Sequence, residues 1–307
     1  MAIECTFKVS IVGCGSVGAS AAYAMLLDGT PTNLTLIDIA IERARGVMTD
    51  LEHALSFTNY IELTSSDKMK ACAGSNVVFV TAGARQKDGQ TRLELIEVNR
   101  KIFKEIIPRI AKAAPNAVIV IVSNPVDILT YEAIQQAGFP SGRVFGSGTM
   151  LDTARFQFHI GEKMRISPKS VEAFILGEHG DSSFPVYSSA EVAGKSIRDF
   201  EGFSQKGLEE CYTTTREAAY NIIHDIGYTC YSIGVVMRQI MKYIYEDAKI
   251  VVPLSTLLDD YYGHSDICLS VPCVLGRRGI ERVIDIPLDE KEQKMLEKSV
   301  KVLKEML

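Results

Sequence analysis

No apolar run in the 307-residue chain approaches the roughly 18 residues that a bilayer-spanning helix needs, which excludes a helical membrane protein. The opening MAIECTFKVSIVG passes almost at once into a strand pattern, with no signal-peptide apolar core and no cleavage site. A cytoplasmic protein is therefore expected. Cysteine is sparse: seven residues, an odd number, with neither CxxC nor Cys/His metal spacing, which points to reduced thiols and to no metal site. Basic runs are missing and the net charge is -5, so there is no electrostatic footprint for nucleic acid or an anionic membrane. Internal repeats and low-complexity linkers are absent too. What remains is an ordinary globular composition, 47% hydrophobic and 23% charged, long enough for two domains of about 150 residues.

Through the first half, short β-rich apolar runs alternate with helical patterns. FKVSIVG (7–13), NLTLIDI (33–39), NVVFVTAG (76–83) and AVIVIVSNP (117–125) are too continuous for a sheet with one wet face. Helical stretches over 17–27 and 94–114 separate them, which is the βαβ pattern of a parallel sheet covered on both sides. After about Gly146 the pattern changes to a helical TMLDTARFQFHIGEKM, short strands in SVEAFILG and a long helical stretch across 204–246. A hairpin is predicted in ICLSVPCVLGRRGIERVIDI, turning between Gly276 and Gly279. The Lys/Glu-rich tail 289–307 places Met295, Leu296, Val300, Leu303 and Met306 at helical spacing, as in a packed surface helix. The fold class read from this is α/β, a Rossmann-type doubly wound parallel sheet over 1–146 followed by an α+β substrate domain over 147–307.

The first chemical signal is GCGSVG, in which Gly13, Gly15 and Gly18 follow a strand and open a helix in GxGxxG spacing. Such a turn can serve strand-to-helix packing alone. Asp38 adds information, because it closes the second strand 20 residues beyond Gly18. Glycines let backbone approach a pyrophosphate at a helix N-terminus, and an acid at that spacing accepts ribose hydroxyls while repelling a 2′-phosphate. This favours NAD over NADP, although a strand-end Asp is commonly just solvated.

The second half supplies LDTAR, with Asp152 and Arg155, and GEHGDSS, with His179. A His beside glycines is commonly a surface loop residue, but here it has company. A carboxylate on one ring nitrogen orients an imidazole and stabilises its charged form, leaving the other nitrogen for proton transfer. An Arg one helical turn from that carboxylate offers a planar fork for a substrate carboxylate. Spacing does not establish that the three meet.

Taken in order, IVGCGSVG, TAGARQKDGQTRLELI, SNPVDILTY, GSGTMLDTARF, GEHGDSS, GYTCYSIG and LSVPCVLGRRGI resemble the lactate/malate dehydrogenase family over nearly the whole chain. The resemblance implies a proton donor and acceptor at His179, its partner at Asp152 and a substrate-carboxylate grip at Arg155. It implies a carbonyl-polarising Arg92 at the end of a closing loop, ARQKDGQTR, in which Gly89 gives flexibility and Gln86 faces the variable end of the substrate. Asn124 would meet the carbonyl oxygen and the nicotinamide ribose, Thr229 would line the pocket, and Ile233 would cover the nicotinamide. The dinucleotide would further lie against Gly13, Gly15, Val17, Gly18, Asp38, Arg43, Gly83, Ala84, Val122 and Ser123. Implied with these are an NAD cofactor, a pyruvate/L-lactate substrate pair and a homo-oligomer, a homotetramer. Malate dehydrogenases normally carry Arg where Gln86 stands, because oxaloacetate brings a second carboxylate, and enclosing an unpaired carboxylate costs several kcal/mol.

Two more distant readings are weaker. An NAD-dependent glycosidase of similar fold would hold a metal through Cys and His, which SNPVD lacks, and the five His (53, 159, 179, 224, 264) show no ligand spacing. A protein keeping the fold without activity would have no need of the set His179, Asp152, Arg155 and Arg92. Where bisphosphate-activated bacterial relatives place Arg and His, this chain has Gln157 and Glu172, which predicts no activation by fructose 1,6-bisphosphate.

Overall fold

The computed structural model describes residues 6–84, 92–201 and 203–307, and only the backbone at 92 and 93. Six parallel strands come first: β1 (Lys8–Val12), β2 (Asn33–Ile37), β3 (Glu62–Ser66), β4 (Val77–Val80), β5 (Val118–Ile121) and β6 (Val144–Gly146). The helices that alternate with them are α1 (Ser16–Asp28), α2 (Ile41–Ala54), α3 (Arg92–Ala113) and α4 (Val126–Ala137). Next come α5 (Met150–Met164) and four two-residue strands, β7 (Ile175–Leu176), β8 (Phe184–Pro185), β9 (Glu191–Val192) and β10 (Lys195–Ser196). The chain ends with α6 (Gln205–Ile226), α7 (Tyr231–Glu246), β11 (Ile250–Leu257), β12 (Cys268–Gly276), β13 (Gly279–Val283) and α8 (Glu290–Lys304).

Strand order in the main sheet is β13-β12-β11-β6-β5-β4-β1-β2-β3. Strands β1 to β6 pair in parallel, and β4 and β5 are buried at every position, as runs covered by helices on both faces must be. The order reverses between β1 and β4, which opens a crevice at the carboxyl ends of these two strands. The second half does not build a separate sheet: β11 adds antiparallel to β6, and β12 and β13 follow it. One apolar core consequently runs across both halves, from Val9, Leu34 and Phe79 to Met237, Val271 and Leu275. Helix α1 packs on α7, and the buried Asp28 at the end of α1 takes Arg238 of α7 at 3.1 Å.

The helical stretch predicted over 204–246 is two helices. Gly227 ends α6 in the left-handed region at φ 82°, its N–H capping the Ile223 carbonyl, and the chain turns through Thr229 before α7. Strands β3, β6, β8, β9, β10 and β11 and helices α2 and α4 have no counterpart among the predicted elements. β3 is polar and half-buried at the sheet edge, so it carries no apolar run to read. The hairpin is present, with Arg277 and Arg278 in its turn.

The tail forms α8, capped by Asp289, whose carboxylate accepts the N–H groups of Lys291 and Glu292 at 2.9 Å. Its buried stripe is Leu296, Ser299, Val300 and Leu303, while Met295 is 39% exposed. Met295→Ala is therefore expected to change stability by less than about 0.5 kcal/mol, and Leu296→Ala to cost about 2–5 kcal/mol. Equal shifts of the two denaturation midpoints would contradict this docking of α8.

Candidate active site

The crevice at the order reversal is floored by the β1–α1 turn. Gly13 turns at φ 105° and donates its N–H to the Ile37 carbonyl at 2.7 Å, tying this turn to the end of β2. A Cβ on Gly18 would stand 1.9 Å from the Gly13 carbonyl oxygen, so only glycine lets the helix start this close. Gly15 differs: nothing lies within 4 Å of the place its Cβ would take. That open cradle lies at the N-terminus of α1, whose N–H groups and dipole suit a phosphate. Asp38, 6% exposed, accepts the N–H groups of Cys14 at 2.7 Å and Ala40 at 2.9 Å, and Arg43 stands 3.7 Å from it.

Across the crevice, the ends of β4 and β5 are fastened to each other. Ser123 donates its hydroxyl to the Ala82 carbonyl at 2.6 Å. Asn99, fully buried in α3, accepts the Ala84 N–H at 2.7 Å and donates to the Asn124 carbonyl at 2.9 Å. Asn99 was not among the expected residues. Its signal was a polar residue standing on the buried stripe of Ile96, Phe103, Ile107 and Ile110.

From there the crevice deepens into a cleft of about 320 Å³, lined among others by Val17, Val122, Asn124, Asp152, Arg155, His179, Thr229 and Ile233. Residues predicted from five separate motifs thus share one cavity. Gly13, Gly15, Asp38, Gly83, Ala84 and Ser123 stand outside its lining, just beyond the ends of β1, β2, β4 and β5, as do Gly18 in the first turn of α1 and Arg43 in the first turn of α2. Arg92 opens α3, but its side chain, like Gln86 and Gly89, falls outside the described residues.

Helix α5 points its first turn into the cleft. His179 Nδ1 lies 2.7 Å from Asp152 Oδ2, and Arg155 donates to Asp152 Oδ1 at 3.3 Å, one turn along the same helix. Burial alone would raise the Asp152 carboxyl and lower the imidazole. For Asp152, the charges of His179 and Arg155 outweigh burial and hold it below the ordinary range. Burial is likewise overcome at His179, where Asp152, with help from Asp127, pushes the pKa up to about 8. The imidazole is therefore an imidazolium at neutral pH, with its Nδ1 occupied and Nε2 left for the cleft.

The residues that hold His179 were largely missed by sequence reasoning. Its N–H is taken by the buried Asp127 at 2.7 Å, and the preceding Glu178 N–H by Ser299 of α8 at 2.6 Å. Helix α6 also lines the cleft through Tyr212, Thr215, Arg216 and Tyr220, and Tyr220 donates its hydroxyl to Asp181 at 3.0 Å. Gln157, on the outer part of α5, gives its amide to the Ala173 carbonyl at 3.1 Å. Among the described residues no group of three or more His, Cys, Asp or Glu could hold a metal ion, and six cysteines are free and buried. No described helix is long and apolar enough to cross a membrane.

Comparison with known proteins decides the lineage. The model of the lactate/malate dehydrogenase NAD binding domain matches residues 7–146, and that of the lactate/malate dehydrogenase alpha/beta C-terminal domain matches residues 149–307. The chain belongs to the lactate/malate dehydrogenase family. Within that family it is 40% identical over 307 residues to an L-lactate dehydrogenase of Clostridium botulinum, covering 98% of this chain and 96% of the relative. An L-lactate dehydrogenase of Acetivibrio thermocellus is 39% identical over 305 residues with the same coverage. Among solved structures, a lactate dehydrogenase from a Medee basin deep-sea metagenome library superposes with a TM-score of 0.95 at 37% identity, over 98% of both chains. The minor L-lactate dehydrogenase of Enterococcus mundtii, in its ligands-bound form, gives 0.94 at 38% identity, over 98% of this chain and 97% of that one.

The two glycines of the family turn can be told apart. Gly18→Ala must push backbone from backbone and is expected to cost at least about 1–3 kcal/mol. Gly15→Ala, entering open space, should stay within about 0.5 kcal/mol. Thermal unfolding of the ligand-free variants checks the difference, and equal losses would refute the close approach at Gly18.

Proposed function

We propose that the protein is an NAD-dependent L-lactate dehydrogenase, interconverting pyruvate and L-lactate. The observation that carries this reading is the 2.7 Å contact of His179 with Asp152 inside a cleft that also holds Arg155. Residues 1–146 hold the dinucleotide and 147–307 supply the substrate side. The relatives named above, all lactate dehydrogenases over nearly their full length, support the choice of substrate.

NADH, when bound, supplies the hydride delivered to the keto carbon. The chain's part is binding, orientation and the proton. Gly15 leaves room for the pyrophosphate, and Asp38 accepts ribose hydroxyls, which disfavours NADPH. Arg155 keeps N–H groups beyond the one given to Asp152, and these take the substrate carboxylate as a fork. His179 gives the proton on Nε2 to the carbonyl oxygen as negative charge develops there, and Asp152 stabilises the ring while it is charged. Asn124 supports that oxygen from the end of β5, and Thr229 and Ile233 shape the wall. Arg92 adds a cation to the developing charge, and Gln86, being neutral, leaves a second substrate carboxylate unpaired. The enzyme acts as a homotetramer in the cytoplasm. Gln157 and Glu172 supply no cation for a bisphosphate, so fructose 1,6-bisphosphate does not activate it.

Loss of NADH absorbance with pyruvate and with oxaloacetate tests the reading. Pyruvate is expected to give the higher kcat/KM by orders of magnitude, and Gln86→Arg to narrow or reverse that ratio; a wild-type preference for oxaloacetate would overturn the assignment.

The pH dependence follows with its sign. Reduction needs imidazolium, which is present below about pH 8 and lost above it, while lactate oxidation needs the neutral ring. Pyruvate kcat/KM should fall, and lactate kcat/KM rise, as pH climbs through about 8. In Asp152→Asn, burial acts without the opposing charge, so both inflections should move to lower pH and reduction should slow by about 10²–10⁴-fold. Inflections that stay in place would remove Asp152 as the electrostatic partner of His179.

A further inference from the structure

Asp127 touches neither substrate nor cofactor in the steps above, yet it is a carboxylate only 2% exposed whose oxygen accepts the histidine N–H. It lies in the first turn of α4, and both oxygens are committed. Oδ2 accepts the His179 N–H at 2.7 Å, and Oδ1 accepts the hydroxyl of Ser255 on β11 at 2.6 Å. We propose that Asp127 is a positioning residue for the proton donor: it fastens the His179 backbone to the sheet so that the imidazole meets Asp152 and the cleft. This rests on the reading of His179 as the donor.

Three attachments hold the segment. Gly177 pairs with Ser270 of β12 through backbone hydrogen bonds of 3.0 and 2.9 Å, and Glu178 N–H goes to Ser299. Only the third, at His179, uses an ionisable acceptor. A neutral amide would accept the same N–H without the several kcal/mol that burying a carboxylate costs. The charge therefore has a use, and the nearest group that gains from it is the imidazolium, whose pKa Asp127 helps to raise.

The groups facing Asp127 are His179 and Glu178 from the loop, Ser255 from β11 and Cys268 at the start of β12. Burial, with Glu178 adding to it, outweighs Ser255 and His179 and pushes the Asp127 carboxyl up to about 6. Below that pH the carboxyl is neutral, a weaker acceptor, and no longer supports the ring. Pyruvate kcat/KM should therefore have an acid limb near pH 6 besides the alkaline limb near 8.

The test is an NMR titration of His179 in the unliganded chain, assigned against His179→Gln, paired with steady-state kinetics. In Asp127→Asn the amide oxygen still accepts the His179 N–H, and Ser255 can turn its hydroxyl to accept instead. Expected are a His179 midpoint lower by about half a unit or more, and a kcat for pyruvate reduction lower by about tenfold or more. Pyruvate KM should stay within about threefold. In a chain that reduces pyruvate, absence of either the midpoint shift or the kcat loss overturns the proposal. If that variant does not fold, Ser255→Ala decides: with Oδ1 stripped of its donor, the acid limb should move up by about half a unit, and an unmoved limb overturns the proposal. The shift at His179 in a chain that reduces no pyruvate would sink the functional reading and leave the clamp standing.

Discussion

An imidazole buried in a cleft does not stay charged by itself, and the contact between His179 and Asp152 is what makes it do so. Much of the second half can be read as support for that one contact. Helix α5 must start beside the end of β6 so that Asp152 falls in its first turn. Thr149 and Thr153 fasten that turn to β7, both donating a hydroxyl to the Ile175 carbonyl, while the Ile175 N–H returns a 2.9 Å bond to Thr153. The next residues bring His179 back over the same helix.

Two buried carboxylates flank this ring and behave differently. Asp152 faces two cations and lies below the ordinary range, so it is charged at every pH where the enzyme would work. Asp127 faces one, has Glu178 nearby, and lies near 6. Burial acts on both in the same direction, so the difference comes first from the imidazole, which bonds Asp152 directly, and then from Arg155, which reaches only Asp152, and Glu178, which opposes the charge on Asp127. An acid with permanent charge suits a partner that must hold a proton through the reaction; one near neutrality makes its support conditional on pH.

What could be read from the sequence divides along a physical line. The glycines after β1, Asp38, the Asp152/Arg155 pair and His179 carry local reasons for being the residues they are: a tight turn, a strand end, an i,i+3 pair, a loop. The supports have no such local mark. Asp127 and Ser255 are 128 residues apart, Asp127 and His179 are 52 apart, and Ser299 and Glu178 are 121 apart. Their partnership exists only because β11 and β12 add to the parallel sheet beside β6 and α8 docks nearby. The same holds for β11, one of the strands not predicted: it reads IVVPLSTL, and nothing in it announces that Ser255 will cross to α4. The joined sheet itself was not foreseen, because β11, which links β6 to β12, was not among the predicted strands.

That continuity bears on how the two ends of the site keep register. At the dinucleotide end, the Gly13 N–H is tied to the Ile37 carbonyl and the Asp38 carboxylate to the Cys14 N–H, while Ser123 holds Ala82 and Asn99 holds both Ala84 and Asn124. At the substrate end, His179 is tied through Asp127, which sits only three residues beyond Asn124. The short helical start 124–127 therefore joins the two: its first residue is held from α3 by Asn99 and its last holds the histidine. Since β5 and β6 fix where that start can lie, the spacing between the two ends follows from strand pairing rather than from flexible loops. A dinucleotide and a keto acid that met at this junction would be aligned by the edge of one sheet.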